Sequence, residues 1–152
     1  MSKSGINIEV PQHELNKLLK DLNKYSETKK RQIGNELDKI GYQIISDAQF
    51  NIVKNKSRKT SVLYTSGKHI TNRARLFVTI AFNAFYSAFV EKGTRPHKIR
   101  AKNKKVLRSK AGVFFGKEVN HPGSKAKPFL EPAAKKNIPV LIENIKRLLN
   151  RK

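Results

Sequence analysis

The sequence predicts an α+β fold: a mostly antiparallel, twisted sheet packed against a long N-terminal helical region and a C-terminal helix. Three observations lead there. Apolar residues recur at helical spacing near both ends of the chain, runs rich in β-branched and aromatic residues fill the middle, and Gly, Pro, Asn and Ser punctuate those runs. Helices at the ends with strands between them argue for segregated layers rather than alternating βαβ units. At 152 residues a single domain is expected over 1–152, and no internal repeat is evident.

Residues 1–11 read as a flexible N-terminal arm, and 12–53 as the helical region. Val10-Pro11 suits a helix entrance, with Glu14 near the positive end of the dipole. Leu15, Leu18, Leu19, Leu22 and Tyr25 then share one helical face. Ser26 offers a cap for a second, stronger stripe made of Ile33, Leu37, Ile40, Ile44, Ile45, Ala48 and Ile52. Either one long helix covers 12–53, or two are joined near 24–28. Gly34 and Gly41 each weaken this helix by about 1 kcal/mol unless close approach uses them.

The sheet is expected over 61–119. Lys54–Thr60 is polar and basic, a loop; Ser61–Thr65 is a short strand candidate, and Ser66-Gly67 a turn. Lys68–Arg75 fits no single template. Leu76–Phe82 is rich in β-branched and aromatic residues and reads as a central strand. Ala84–Lys92 either continues that strand or makes a helical turn, and Gly93 ends it at a backbone angle suited to glycine. Pro96–Ala101 is charged in the manner of an edge strand, and Gly112–Gly116 is the next strand. Residues 92–110 are expected to form a basic hairpin with its tip at Asn103–Lys110. Asn120-His121-Pro122-Gly123 is dense turn chemistry. The C-terminal helix is expected over 132–150, where Ile138, Leu141, Ile142, Ile145, Leu148 and Leu149 share a face. Pro139 implies that it starts near Asn137, a good N-cap, or kinks.

Charge is the largest compositional deviation: 33 basic residues against 11 acids give a net +22. No acid occurs between Asp47 and Glu91, and none between Lys92 and Lys110, where nine of nineteen residues are Lys or Arg. Such a field attracts polyanions or acidic protein surfaces. With no cysteine in the chain, disulfides and thiolate chemistry are excluded. Met1–Gly5 lacks the apolar core of a secretory signal, and no apolar run approaches the roughly 18–20 residues of a spanning helix, so a soluble intracellular product without membrane contact is expected.

Catalytic signals are sparse. None of His13, His69, His97 and His121 stands at helical spacing from another, and no metal, cofactor or catalytic set is expected. His97 and His121 flank the same hairpin and read as turn or surface residues able to meet. A two-metal nuclease needs several carboxylates, whereas the sheet region offers Glu91 and Glu118. Glu91 is expected to make a structural ion pair with Arg95. No phosphate-binding glycine loop is present. The aromatics Phe77, Phe82, Phe85, Tyr86, Phe89, Phe114, Phe115 and Phe129 read as mostly core, and Lys98–Lys110 contains no interleaved aromatic, which suits phosphate or acidic protein contact better than base recognition.

One stretch has a particular order. Tyr86, Val90, Glu91, Gly93 and Thr94 precede the charged hairpin. Phe115-Gly116, then Asn120-His121-Pro122-Gly123, then Pro128-Phe129-Leu130 and Pro132-Ala133 follow it. This pattern, covering about a third of the chain, resembles the tail-completion, or head–tail joining, proteins of long-tailed bacteriophages. The resemblance implies a structural virion protein of the neck rather than an enzyme. It implies a ring, generally six-fold, between the head-closure (connector) ring and the tail terminator or tail tube, with DNA passing through the lumen and touched at most non-specifically. Assembly in the bacterial cytoplasm and residence in the virion go with it. The interface residues expected on this basis are Glu91, Gly93, Thr94, Arg95, Lys98, Arg100, Lys102, Lys104, Lys105, Arg108, Lys110, Asn120, His121, Pro122, Gly123, Pro128 and Phe129. The competing class is a basic nucleic-acid-binding protein acting on phage or host DNA.

Overall fold

Ser26 lies in extended backbone and its hydroxyl accepts the Lys29 amide, so a helix begins where the sequence offers a cap. The computed structural model describes residues 5–9, 13, 17, 26–57, 61–101, 106–109 and 111–150. The capped helix, α1, runs Glu27–Lys54 without interruption. It buries Ile33, Leu37, Ile40, Ile44, Ala48 and Ile52, with Ile45 packed partly against them, which is the expected stripe. The expected face of Leu15, Leu18, Leu19, Leu22 and Tyr25 lies outside the described residues, as does Val10-Pro11, while His13 and Lys17 are described and helical.

Ile6–Glu9, expected within a flexible arm, instead forms strand β1. Ser61–Thr65, expected as a strand, is the short helix α2. Its β-forming side chains find no sheet to join: only Leu63 is buried, and Gln49 of α1 holds the Tyr64 carbonyl at 2.9 Å. Ser66 turns the chain, and Gly67 opens strand β2 (Gly67–Asn72) rather than completing a turn. Strand β3 (Phe77–Phe82) is central in the order β1-β3-β2, antiparallel to both neighbours, with Ile80 opposite Ile8 and His69. Val78, Ile80 and Phe82 alternate into the core with α1. The helical alternative holds for Ser87–Lys92, helix α3. Its buried Ser87 hydroxyl donates to the Phe82 carbonyl and accepts the Ile6 amide, tying β1 to the end of β3.

The C-terminal helix, α4, runs Leu130–Asn150, starting two residues earlier than expected and including Pro139. Asn137 is therefore no cap. It is buried, and its amide donates to the Ala133 carbonyl and to Asp47 of α1 at 2.6 Å. Burial raises the Asp47 pKa, but hydrogen bonds from Asn137 and Lys136 outweigh it and hold the carboxyl below its ordinary value. Asn144 reaches Glu36 farther along, so α1 and α4 are stitched at two levels around Leu141 and Ile145. The buried stripe of α1 packs against α4 and against β2 and β3, while Tyr42 and Phe50 on its other face are exposed.

Gly34 and Gly41 are both buried on α1 beneath β2 and its turn, in different surroundings. A methyl at Gly41 would lie 2.7 Å from the His69 ring, which also meets Tyr42 edge-on and is only 11% exposed. A methyl at Gly34 would meet the aliphatic stem of Arg73 at 3.2 Å, a side chain with room to shift. Gly41→Ala is therefore expected to lower stability by about 1–3 kcal/mol despite its better helix propensity. Gly34→Ala should be neutral or stabilising by up to about 1 kcal/mol. Urea denaturation of the two variants separates a tight seat from a tolerant one.

Candidate functional site

The residues singled out between 86 and 134 converge on one clasp, from which a two-stranded ribbon extends. Glu91, on the last turn of α3, is 5% exposed, yet it forms no ion pair with Arg95. Its two oxygens accept the backbone amides of Phe129 (2.8 Å), Leu130 (3.0 Å) and Glu131 (2.8 Å). Those amides open α4 and have no partner within the helix, so the carboxylate meets both the orphaned donors and the positive end of the dipole. A buried charge fully hydrogen-bonded in this way acts as a helix cap supplied from elsewhere in the chain, which corrects the expected Glu91–Arg95 pair.

Phe129 is held from all sides. Its ring is fully buried and meets Phe82 edge-on at 5.0 Å. Its carbonyl accepts Asn51, and the Pro128 carbonyl accepts Asn55, one turn apart at the end of α1. Those two asparagines, and Ser87, were not foreseen. An i, i+4 pair of amides at a helix end is a signal, though a weak one.

Past Gly93 the chain meets its own return segment. Thr94 and Ser124 exchange backbone hydrogen bonds of 3.0 and 3.1 Å, and their hydroxyls lie 3.1 Å apart. Gly93 (φ 72°) and Gly123 (φ 84°) occupy left-handed backbone, and a methyl on either would strike the opposite segment, at Ser124 and Thr94 respectively. Lys127 adds a bond from its amide to the Val90 carbonyl. The clasp therefore consists of two chain segments pressed together where only hydrogen atoms fit.

The ribbon pairs differently from expectation. Residues 92–110 do not fold back on themselves. Strand β4 (His97–Arg100) pairs with β7 (Glu118–His121), and β5 (Leu107–Arg108) pairs with β6 (Phe114–Gly116) across an irregular register. The described residues of 97–121 thus pair as two arms that close near Ser109–Val113. Asn120 and His121 belong to a strand, and Pro122-Gly123 makes no turn but carries the chain in the same register to Ser124, opposite Thr94. Charge accounts for the pairing: the basic arm finds Glu118 opposite, which holds Lys98 at 2.9 Å and Arg100 at 2.6 Å, whereas like charges facing one another would oppose it. Hydrogen bonds from Lys98 and then Arg100 keep the Glu118 carboxyl below its ordinary value.

His97 and His121 do meet, as a cross-strand pair with rings stacked 5.0 Å apart. Each is tied to backbone two residues away: His97 Nδ1 donates to the Arg95 carbonyl, and His121 Nδ1 accepts the Gly123 amide. Among the described residues no group of three or more His, Asp or Glu side chains gathers as a metal site.

All of β4 and β6 is exposed. Phe114 is 64% and Phe115 50% exposed, with Val113 beside them. Phe85 and Phe89 are exposed as well, so the expectation of a mostly core role holds for Phe82 and Phe129 but fails for these four. Pairing also places aromatics beside the basic arm, with the Arg108 guanidinium 5.2 Å from the centre of the Phe114 ring. Of the expected interface residues, Lys98, Arg100 and Arg108 lie on this exposed ribbon, and Arg95 is exposed at its base. Glu91, Gly93, Thr94, Gly123, Pro128 and Phe129 serve the clasp, and Lys102, Lys104, Lys105 and Lys110 lie outside the described residues.

Glu91→Ala leaves two buried amides and one half-buried amide without an acceptor and should cost about 2 kcal/mol or more, with Glu91→Gln intermediate, as read by thermal or urea denaturation. Glu118 gives a pH signature. Its folded pKa is depressed, so its contribution to ribbon pairing is complete above the unfolded glutamate value and lost as pH falls through the folded one. Cross-strand NMR contacts between Ile99 and Val119 should weaken over that acidic window in the native protein, and Glu118→Gln should show the weakened state without the pH dependence.

Comparison with known protein families, with curated proteins and with solved structures finds no match to this chain.

Proposed function

We propose that this chain is a structural assembly protein of a long-tailed bacteriophage virion, one subunit of a neck ring that joins the DNA-filled head to the tail and lets DNA pass through its lumen. The observation that carries this reading is the division of labour within residues 86–134. The motif residues that resemble the head–tail joining family build a hydrogen-bonded clasp, and the clasp holds out a ribbon whose apolar end is exposed. Exposed Val113, Phe114 and Phe115 on a supported ribbon suit an element that gains its partner on assembly. Head-to-tail contacts of this kind close into a ring when the rotation allows it.

A second reading has one observation in its favour. The exposed Phe114 ring beside Arg108, with Lys98 and Arg100 farther along, is a combination of stacking surface and cations that nucleic acid also uses. On that reading the isolated monomer binds duplex or single strands tightly, with a steep salt dependence.

Phage lacking this protein, supplied in trans with Phe114→Ser/Phe115→Ser, should yield separate filled heads and finished tails by electron microscopy. The wild-type protein should restore joined particles. Because both rings are exposed, the variant should melt with the native protein. Neutralising Lys102, Lys104, Lys105 and Arg108 should impair joining as well. Unchanged yields of infectious tailed particles overturn the neck reading, and tight monomer binding to DNA with a steep salt slope favours the second.

A further inference from the structure

A groove of about 390 Å³ lies beside the clasp, on the face of the body where α3, the end of α1 and the 124–127 segment meet. Its wall is Tyr86, Phe89 and Val90, and its rim carries Lys56, Lys125 and Lys127. Tyr86 and Val90 pack against the core from behind, which makes the wall rigid, while Phe89 is 55% exposed within it. The Lys127 amide is bonded to the Val90 carbonyl, so rim and wall are fixed to each other. Among the described residues no carboxylate lines the groove.

Lys56 adds an independent observation. It follows α1 in left-handed backbone, φ 51°, while its amide and that of Ser57 return to the Val53 and Ile52 carbonyls. Glycine fills this position of a helix end without steric cost. Lysine there costs stability, and what it supplies is the third cation of the rim. A strained residue at the edge of a concave site points to use of that site.

We propose that this groove binds an acidic protein segment bearing an aromatic or large aliphatic anchor. The anchor seats against Phe89 and Tyr86, and flanking carboxylates meet Lys56, Lys125 and Lys127. Charge selects this occupant. A second copy carries the same net +22, so its approach to a lysine rim sets cations against cations. Among the described residues the rim cations are lysines, point charges without the planar fork that matches phosphate, and one wall is apolar, which suits a side chain with carboxylates around it. The proposal stands on the groove alone and holds whether or not the chain is a neck subunit.

The test uses the full chain and fluorescently labelled peptides rich in Asp and Glu around a central Phe, Leu or Trp, read by anisotropy at physiological salt. At least one should bind saturably, about tenfold more weakly when the anchor is Ala and not measurably when the acids are amides. Phe89→Ser should weaken binding about tenfold without changing the melting temperature, since the ring is largely exposed. Lys56→Gly should weaken binding while raising the melting temperature, opposite effects that a purely structural role does not give. Absence of binding by every peptide overturns the proposal, as does affinity indifferent to the anchor and to Phe89→Ser, which reports only attraction to a +22 chain. An oligonucleotide whose binding alone is lost in Phe89→Ser reassigns the groove to nucleic acid. Self-association abolished by Phe89→Ser in sedimentation reassigns it to a second copy.

Discussion

One buried carboxylate organises the C-terminal half of this protein. Glu91 ends the short α3, and its oxygens take the three amides that open α4. A six-residue helix has little stability of its own, and a helix N-terminus buried without acceptors is costly. Each defect is the remedy for the other. Once α4 is nucleated there, Phe129 and Leu130 fall into the core, and the remaining turns lie along α1 through Asn137–Asp47 and Asn144–Glu36. The early start of α4 also explains how the helix continues through Pro139. Its first turns are already fixed by capping and burial, so the loss of one backbone bond is spread over a segment held at both ends.

The helices were legible because their signal is local and periodic. Ile33 to Ile52 and Leu141 to Ile145 repeat on one face, and burial follows that face closely. Ser26 was legible as a cap for the same reason, since its partner is three residues away. Glu91 was recognised as a site residue but given the wrong partner. The partner expected, Arg95, is four residues on, whereas the actual partners are backbone amides 38 to 40 residues distant. Ser61–Thr65 failed in the other direction, with strand propensity overruled by a place beside α1 that admits a single apolar side chain, Leu63.

The ribbon shows why composition misled. A run of cations without acids reads as one charged hairpin, but pairing is settled across the strand, and Glu118 stands on the other arm. The same crossing brings Phe114 to Arg108, so an element that is purely basic along the chain is basic and aromatic in space. Aromatic residues at strand spacing were assigned to the interior because burial normally follows that pattern. Phe85, Phe89, Phe114 and Phe115 break it and mark surfaces that this chain alone does not cover.

The Thr94–Ser124 bridge has an architectural corollary. The chain leaves the body at Thr94 and re-enters it at Ser124, and those two residues are already hydrogen-bonded neighbours. Everything between them is an insertion whose ends close without it. Among the described residues, core, capping carboxylate and helix pairing all lie on the body's side of that closure, and a longer ribbon adds only a slowly growing cost of loop closure. A chain organised this way can exchange what it recognises while keeping what it is, because variation confined to 97–121 is free of the constraints that bind the rest.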